Sequence, residues 1–284
     1  MQPGQHSMTS EAYHADPCLI PSLNSGVAKH LIRRSPLHGW HAHPRLGGGD
    51  HTASAVMDAG SVLHRLLLGA GDEFQAVEAS DWRTKAAKEQ RDEIRAEGRT
   101  PILAGDLDRL HHAATRARLQ MFGHEDCEDF FAPGASEAVL IAQDGPAWLR
   151  CMVDRLPADP GACFYDIKTT ARSAAPAEFQ RAMITEHAFQ AAFYLRIGRL
   201  LGRRPPAFLF VVVEQEAPYG VSVMAAAPSL MEIASREVDR AVALWTRCQT
   251  AGEWPSYQQR TAYVDAPAWI TAAEEAANME EVDA

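Results

Sequence analysis

Residues 153–170 read VDRLPADPGACFYDIKTT, from Val153 to Thr170. Branched and aromatic residues at both ends with Pro and Gly at the centre predict two strands joined by a turn, the first ending at Asp154 and the second running from Cys163 to Thr169. Asp166 and Lys168 lie two apart on the second strand, so both side chains leave the same face and aim a carboxylate and an ammonium at one spot. If the strands lie side by side, the Asp154 carboxylate meets that of Asp166 at a separation a divalent cation bridges. Two acids and a lysine are the minimal set for metal-assisted phosphodiester hydrolysis. The anionic oxygens hold the cation, the cation draws charge from phosphate and water, and the lysine steadies the hydroxide or the charge developing on the phosphoryl group. Asp-x-Lys alone is most often a surface ion pair at a sheet edge, so the case rests on what the chain places around it.

Working outward, Ser136–Gln143, a turn at Asp144-Gly145 and Trp148–Asp154 complete a three-strand meander. Glu137 opens its first strand as a third anion. A long helix, Pro176–Leu201, follows the Asp-x-Lys strand, and Gln190 and Tyr194, four apart, share one of its faces. After Pro205-Pro206 comes a continuous apolar run, Phe208–Val213, patterned like a buried central strand. Tyr219–Met224 alternates like its edge partner, and Ser229–Thr250 is amphipathic. Toward the N-terminus, Ser22 is expected to cap an amphipathic stretch, Leu23–Arg34, that stops at Ser35-Pro36. A glycine-rich loop, Leu46–Asp50, then leads to a helix in which Val56, Ala59, Leu63, Leu66 and Leu67 recur before Gly69; His64 rides on it. Arg83–Glu97 and Asp106–Phe122 are charged helical segments that each end at a glycine and suggest an accessory layer. There is no internal repeat.

The composition is that of an ordinary globular protein: 284 residues, 46% hydrophobic and 23% charged. We expect one domain over 21–270, a loose segment over 1–20 and an acidic tail over 271–284. The formal charge of -10, from 27 basic and 37 acidic residues, repels nucleic acid and anionic membranes overall, so any DNA contact must be local. Half of it sits in the tail, at Glu274, Glu275, Glu280, Glu281 and Asp283. The candidate phosphate-holding surfaces are Lys29–Arg34, with Arg33 and Arg34, and the helix carrying Arg83, Lys85, Lys88 and Arg91, although Glu89, Asp92 and Glu93 also fit that helix to a plain solvated face. The five cysteines form no CxxC pair, which argues against disulfides, a zinc ribbon or an iron-sulfur cluster. No apolar run approaches the ~20 residues that span a bilayer, and Met1–Asp16 is polar, so a soluble cytoplasmic protein is expected. His38, His41 and His43 lack an adjoining Cys or carboxylate ligand and read as surface imidazoles rather than a zinc site. Gly47–Gly49 lacks the Gly-Lys-Ser/Thr of a phosphate loop.

In chain order the candidates are His64, Glu137, Asp154, Asp166-x-Lys168 and Gln190-x-x-x-Tyr194. That order resembles the PD-(D/E)XK nuclease superfamily, within it the branch with a helical histidine and a Gln-x-x-x-Tyr helix, as in RecB-type nuclease domains. Further stretches resemble the C-terminal domain of the RecE (exonuclease VIII) family: SPLHGWHAHP from Ser35, DAGSVLHRLLL from Asp58, DWRTKAAK from Asp81, GASEAVL from Gly134, VDRLP from Val153, YDIKTT from Tyr165, FQAAFYL from Phe189, VVEQEAPYGV from Val212 and EWPSY from Glu253. The matches run from about Tyr13 to Tyr257.

The resemblance implies an α/β fold, a mixed central β-sheet flanked by helices with added N-terminal helices, and a metal-dependent exonuclease that degrades linear duplex DNA from 5′ ends to leave 3′ single strands. Asp154 and Asp166 would be metal carboxylates and Lys168 the catalytic lysine. His64, Glu137 and the Ile167 backbone carbonyl would complete the metal environment, with Gln190 and Tyr194 supporting the lysine and scissile phosphate. Mg²⁺ is the implied cofactor, with Mn²⁺ as a substitute. A homo-oligomer, a RecT-type single-strand annealing partner and a recombination role in a phage or prophage setting are also implied. One departure is Val153, where the superfamily name has proline, a position that varies widely. The alternatives are a RecB-like or CRISPR-adaptation-type nuclease without an iron-sulfur cluster, and an inactive DNA-end binder on the same fold. Inactive relatives usually lose an acid or the lysine, and all three stand here.

Overall fold

The computed structural model describes residues 1–49 and 55–282, and the meander read from the sequence is its centre. In chain order the elements are β1 (Gly4–His6), α1 (Ser10–His14), α2 (Ser25–Arg33), α3 (Pro36–Ala42), α4 (Ala55–Leu68), β2 (Phe74–Val77), α5 (Lys85–Ala96), β3 (Thr100–Leu103), α6 (Ala104–Phe122) and α7 (Glu128–Phe131). Then follow β4 (Gly134–Asp144), β5 (Ala147–Pro157), β6 (Phe164–Thr170), α8 (Pro176–Ala182), α9 (Ala188–Leu200), β7 (Phe208–Glu214), β8 (Val221–Met224), α10 (Pro228–Ala251) and α11 (Ala268–Val282). Asp50, the far end of the glycine-rich loop, and Asp283 lie outside the described residues, as does the side chain of Val56.

The main sheet has the order β1-β4-β5-β6-β7-β8, antiparallel throughout except that β6 and β7 run parallel, so it is mixed as expected. The parallel pair exists because α8 and α9 carry the chain back across one face. Alternation along the strands divides the core in two. Leu140, Leu149, Cys151, Phe164, Phe208 and Phe210 pack under α2, α9 and α10, whereas Tyr165, Ile167, Leu209, Val211 and Val213 pack under α4 and α6. A parallel two-stranded sheet, β2-β3, is bridged by α5 beside α4. The charged segments read as an accessory helical layer thus carry a small sheet as well.

Residues 1–20 are not loose. The hairpin β4-β5 is long, and its Val139, Ile141 and Trp148 lie on a face that α4 and α6 do not cover; Tyr13 and Cys18 fill it, and β1 pairs with β4 at its outer edge. The segment is anchored by a buried ionic cluster. Asp16, in the left-handed region at φ 63°, accepts from Ser22 N at 2.9 Å, Ser22 Oγ at 2.7 Å and Cys18 N at 3.4 Å. His43 Nε2 lies 3.2 Å and Arg150 Nη1 3.3 Å from its carboxylate. Arg150, fully buried on β5, also donates to Ser22 O at 2.6 Å, Ser22 Oγ at 2.8 Å and Tyr13 O at 3.3 Å. Burial raises the Asp16 pKa, but the His43, Arg150 and Ser22 contacts outweigh it and bring the carboxyl down to about 2.

Other expectations need correction. Ser22 is committed to Asp16, and the cap of α2 is Asn24, whose side chain accepts from Val27 N at 2.8 Å. Ser35-Pro36 stops α2 but also starts α3, with Ser35 as N-cap and Pro in the first turn. His43, read as a surface imidazole, is fully buried. The helix expected to run unbroken from Pro176 to Leu201 is interrupted by a π turn, Met183–His187. The acidic tail carries α11.

Candidate active site

β5 and β6 are joined by a single residue pair, Arg155 with Tyr165. Beyond it they part, and the Asp154 carboxylate takes the place of a ladder partner, accepting from Ile167 N at 2.7 Å. On the far side of β5 the hairpin is irregular at the same level. Val153 and Leu156 both join the α9 side of the core, and Ala135 and Ala138 on β4 do the same, so the pleat loses its alternation between them. Glu137, which the register sets opposite Asp154, is left-handed at φ 49°. Such a conformation in a non-glycine residue persists only where its surroundings hold it. Gly71, itself at φ 113°, packs so closely on Glu137 that a Cβ there would lie 2.7 Å from Oε1.

Side chains from both helix layers meet at this opening. From α4, His64 Nε2 lies 2.9 Å from Asp154 Oδ2 and Nδ1 3.7 Å from Glu137 Oε1. From α9, Gln190 Nε2 donates to Asp166 Oδ1, whose other oxygen lies 2.6 Å from Lys168 Nζ. A cleft of about 490 Å³ opens on the group, lined by His64, Glu137, Ile167 and Lys168. A further cavity of about 690 Å³ adjoins it, sharing Gly71, Asp72 and Glu137.

The charges are strongly interdependent. Burial and the charge of Asp154 push the Asp166 carboxyl up to about 6, even though Lys168 and His64 favour its ionised form. Burial works against the charge on Asp154 too, but His64, Lys168 and the Ile167 amide together hold its carboxyl below the usual range. His64 and Lys168 are both held above their ordinary values, because attraction to the acids outweighs burial. Burial lifts Glu137.

Of the residues expected in the site, His64, Glu137, Asp154, Asp166, Lys168 and Gln190 are brought together. Tyr194 is buried, its ring edge-on to Phe208 at 5.5 Å, and burial, with lesser contributions that include the charges of Asp166 and Asp154, raises its pKa. The four candidate DNA-binding cations do not line the cleft. Arg33 and its neighbour Lys29 are engaged with Glu186 at 2.9 and 2.8 Å, and Arg34 is exposed at the end of α2. The side chains of Arg83 and Lys85 are each 90% exposed beside Asp81 and Glu89. The sequence reading passed over Ser61, Thr169 and Gln215, which line the cleft. Gln215 donates to Thr169 Oγ1 at 3.2 Å. Ser61, three residues before His64, could have been found from its helical spacing.

The PDDEXK-like domain of unknown function (DUF3799) matches residues 41–267. The chain belongs to this family. It therefore falls in the PD-(D/E)XK nuclease superfamily. No curated protein matches the DUF3799 chain. Among solved structures it is similar to a candidate exonuclease from Eubacterium rectale, at 13% identity and a TM-score of 0.57 over 94% of this chain and 98% of the other. That likeness is one of fold. An alkaline exonuclease from Laribacter hongkongensis matches over 70% of this chain and 94% of its own at 14% identity, with a TM-score of 0.31, too slight a likeness to carry weight.

PD-(D/E)XK nucleases generally use divalent metal ions. Among the described residues no three His, Cys, Asp or Glu side chains already converge as a cation cage, since His64 and Lys168 draw the acids to themselves. The donor set nevertheless fits a hard cation in its chemistry. The pair Asp154 and Asp166 stand close enough for one to raise the pKa of the other, a repulsion that a divalent cation relieves.

Proposed function

We propose that the protein is a Mg²⁺-dependent exodeoxyribonuclease of the RecE type that degrades linear duplex DNA from its 5′ ends and leaves 3′ single strands for recombination or annealing. The observation that carries this reading is the meeting of Asp154, Asp166 and Lys168 at the parting of β5 and β6. The near full-length RecE-like motif match and the candidate exonuclease of the same fold support the exonuclease assignment. Asp154 and Asp166 would hold the ion, with Glu137, His64 and the Ile167 carbonyl completing its surroundings, and Mn²⁺ would substitute. When bound, it supplies positive charge that polarises the phosphate and makes water easier to deprotonate. Lys168, drawn to Asp166 in the free protein, places its ammonium against the phosphate and the negative charge that develops there. His64 neutralises Asp154 until substrate arrives, and Gln190 holds one oxygen of Asp166, which orients the carboxylate and turns its other oxygen toward Lys168.

A protein of net charge -10 must hold DNA by local cations. Arg33, Arg34, Arg83 and Lys85 are the proposed phosphate contacts. A homo-oligomer, a RecT-type annealing partner and a cytoplasmic location complete the reading; no helix among the described residues is long and apolar enough to cross a membrane.

The test uses duplexes labelled at either the 5′ or the 3′ terminus of one strand, in Mg²⁺ or EDTA, with closed circles as control. Early release of the 5′ label as a mononucleotide, only in Mg²⁺, is expected. Early release of the 3′ label, or nicking of circles, overturns the RecE-type polarity, and cleavage in EDTA overturns the metal.

A further inference from the structure

We infer that the Thr169 hydroxyl is a substrate-binding group that donates to a phosphate beside the scissile one, and that Gln215 is its positioning residue. The inference rests on the nuclease reading above and carries the site beyond its acids, histidine and lysine. Thr169 follows Lys168 on β6, so alternation sends its side chain to the opposite face, the α4 side that Ile167 also occupies. Gln215 continues the face of Leu209, Val211 and Val213 one step past the end of β7, where an amide replaces the apolar residues. It is only 8% exposed, and the chain around it is tied down. Its backbone N–H donates to Thr170 O at 2.9 Å, while the Glu214 carboxylate before it accepts from Ala174 N at 2.8 Å and Gly220 N at 3.0 Å. From this fixed base Gln215 Nε2 donates to Thr169 Oγ1 at 3.2 Å.

The neighbouring helix makes room for the pair. Gly60 lies on α4 one turn before His64 and on the same face, and it lines the cleft with Thr169 and Gln215. A Cβ on Gly60 would lie 3.0 Å from Thr169 Oγ1 and 3.9 Å from Gln215 Nε2, so both polar tips stand against bare backbone. Glycine weakens a helix interior, and here it leaves space beside a hydroxyl rather than beside apolar packing. The hydroxyl has one proton to give. Oγ1 is the acceptor in its bond with Gln215, and no other group among the described residues takes that proton. It is therefore available to an acceptor entering the cleft, one turn of α4 from the contact of His64 with Asp154. The non-bridging oxygens of a phosphodiester are such acceptors. An uncharged donor suits a phosphate that does not react, since no new charge develops there. Were the Gln215 amide reversed, its oxygen would consume the Thr169 proton and the hydroxyl would have nothing to offer a phosphate.

The experiment compares Thr169→Val, which keeps the branched shape without the hydroxyl, with Thr169→Ser, which keeps the hydroxyl. On linear duplex with Mg²⁺ the Val variant is expected to raise KM roughly tenfold, the scale of one hydrogen bond to a charged group. Its kcat should stay within about twofold, because a phosphate that does not react is held equally before and during the reaction. Thr169→Ser recovers most of the loss. Gln215→Met, which fills similar space without a donor, raises KM by a smaller factor, and in the Thr169→Val background it raises KM no further. Wild-type KM in Thr169→Val or Gln215→Met, a loss in Thr169→Ser as large as in Thr169→Val, or a Gln215→Met effect that persists without the hydroxyl overturns the inference. Binding is read apart from turnover, by fluorescence anisotropy in EDTA, on duplexes whose linkages are replaced one at a time by neutral methylphosphonate. At one linkage the replacement should weaken wild-type binding roughly tenfold and Thr169→Val binding hardly at all. A replacement that costs both proteins the same at every linkage overturns the inference. A wild-type protein that binds duplex without cutting it brings down the nuclease reading, and the linkage comparison still decides the Thr169 contact; one that neither binds nor cuts brings down both.

Discussion

Replacing Asp16 by Asn isolates the charge that ties the N-terminal segment to the sheet. Asn tolerates the left-handed backbone at φ 63° and can still accept from Ser22, so shape and turn are kept. What is lost is the anion facing Arg150, which is fully buried. Two estimates bracket the cost. Lowering the carboxyl from 3.8 to about 2 corresponds to about 2 kcal/mol of preference for the ionised form in the fold. Stripping a buried ion of its partner typically costs about 3–5 kcal/mol. We expect a loss of about 3 kcal/mol, or about 6–12 °C in Tm at the scale of a domain this size, read by urea unfolding at pH 7 followed by tryptophan fluorescence. Arg150→Met in the Asp16→Asn background should recover part of it, because the fully buried guanidinium left without its anion is then gone. In the wild-type protein this contribution is complete above about pH 4, where the unfolded carboxyl is ionised, and is lost as pH falls through about 2. A loss below about 1 kcal/mol, or a double variant as unstable as the sum of the singles, refutes the reasoning and returns residues 1–20 to a dispensable arm.

At the site, Lys168→Ala and Asp154→Asn should each lower kcat by at least about 100-fold, the scale of losing one group that stabilises transition-state charge, while folding stays cooperative; retained turnover in either would remove that residue from the chemistry. Protons and Mg²⁺ compete for Asp166, whose carboxyl titrates at about 6, so at limiting Mg²⁺ the apparent Mg²⁺ affinity should weaken as pH falls below 6 and level off above 7; calorimetric titration at pH 5.5 and 7.5 measures it, and equal affinities contradict it. Gly198 faces Phe164 so closely that a Cβ would lie 2.7 Å from the ring, and Gly198→Ala should destabilise by about 1–3 kcal/mol in urea unfolding through overpacking.

The meander and the Asp-x-Lys strand were legible because alternation and spacing are local signals. Asp166, Lys168 and Gln190 need only a strand and a helix read in order, and the structure brings all three together. Ser22 and His43 were misread for one reason. Ser22 carries a capping side chain and His43 a polar ring, but Asp16 engages both, and neither helical nor strand spacing pairs it with Ser22 six residues on or with the more distant His43. β1 and α1 form because β4 and β5 leave a face uncovered, and that vacancy belongs to the tertiary structure. The π turn and the left-handed Glu137 carry no signature in composition or periodicity. Sharing a helix face with Gln190 fixed the direction of Tyr194 but not its depth: one turn further along, the same face is already in the core.

The parting of β5 and β6 leaves one backbone proton in an unusual position. Strands ordinarily guard their amides collectively, whereas the Ile167 amide is guarded by one side chain, the Asp154 carboxylate. Its exchange with solvent is therefore a direct gauge of that carboxylate. Anything that draws the acid away, whether a cation or a proton, is registered in the spectrum of the next strand. The seam is in effect a built-in reporter, and occupancy of the site can be followed in the intact protein by watching a single resonance.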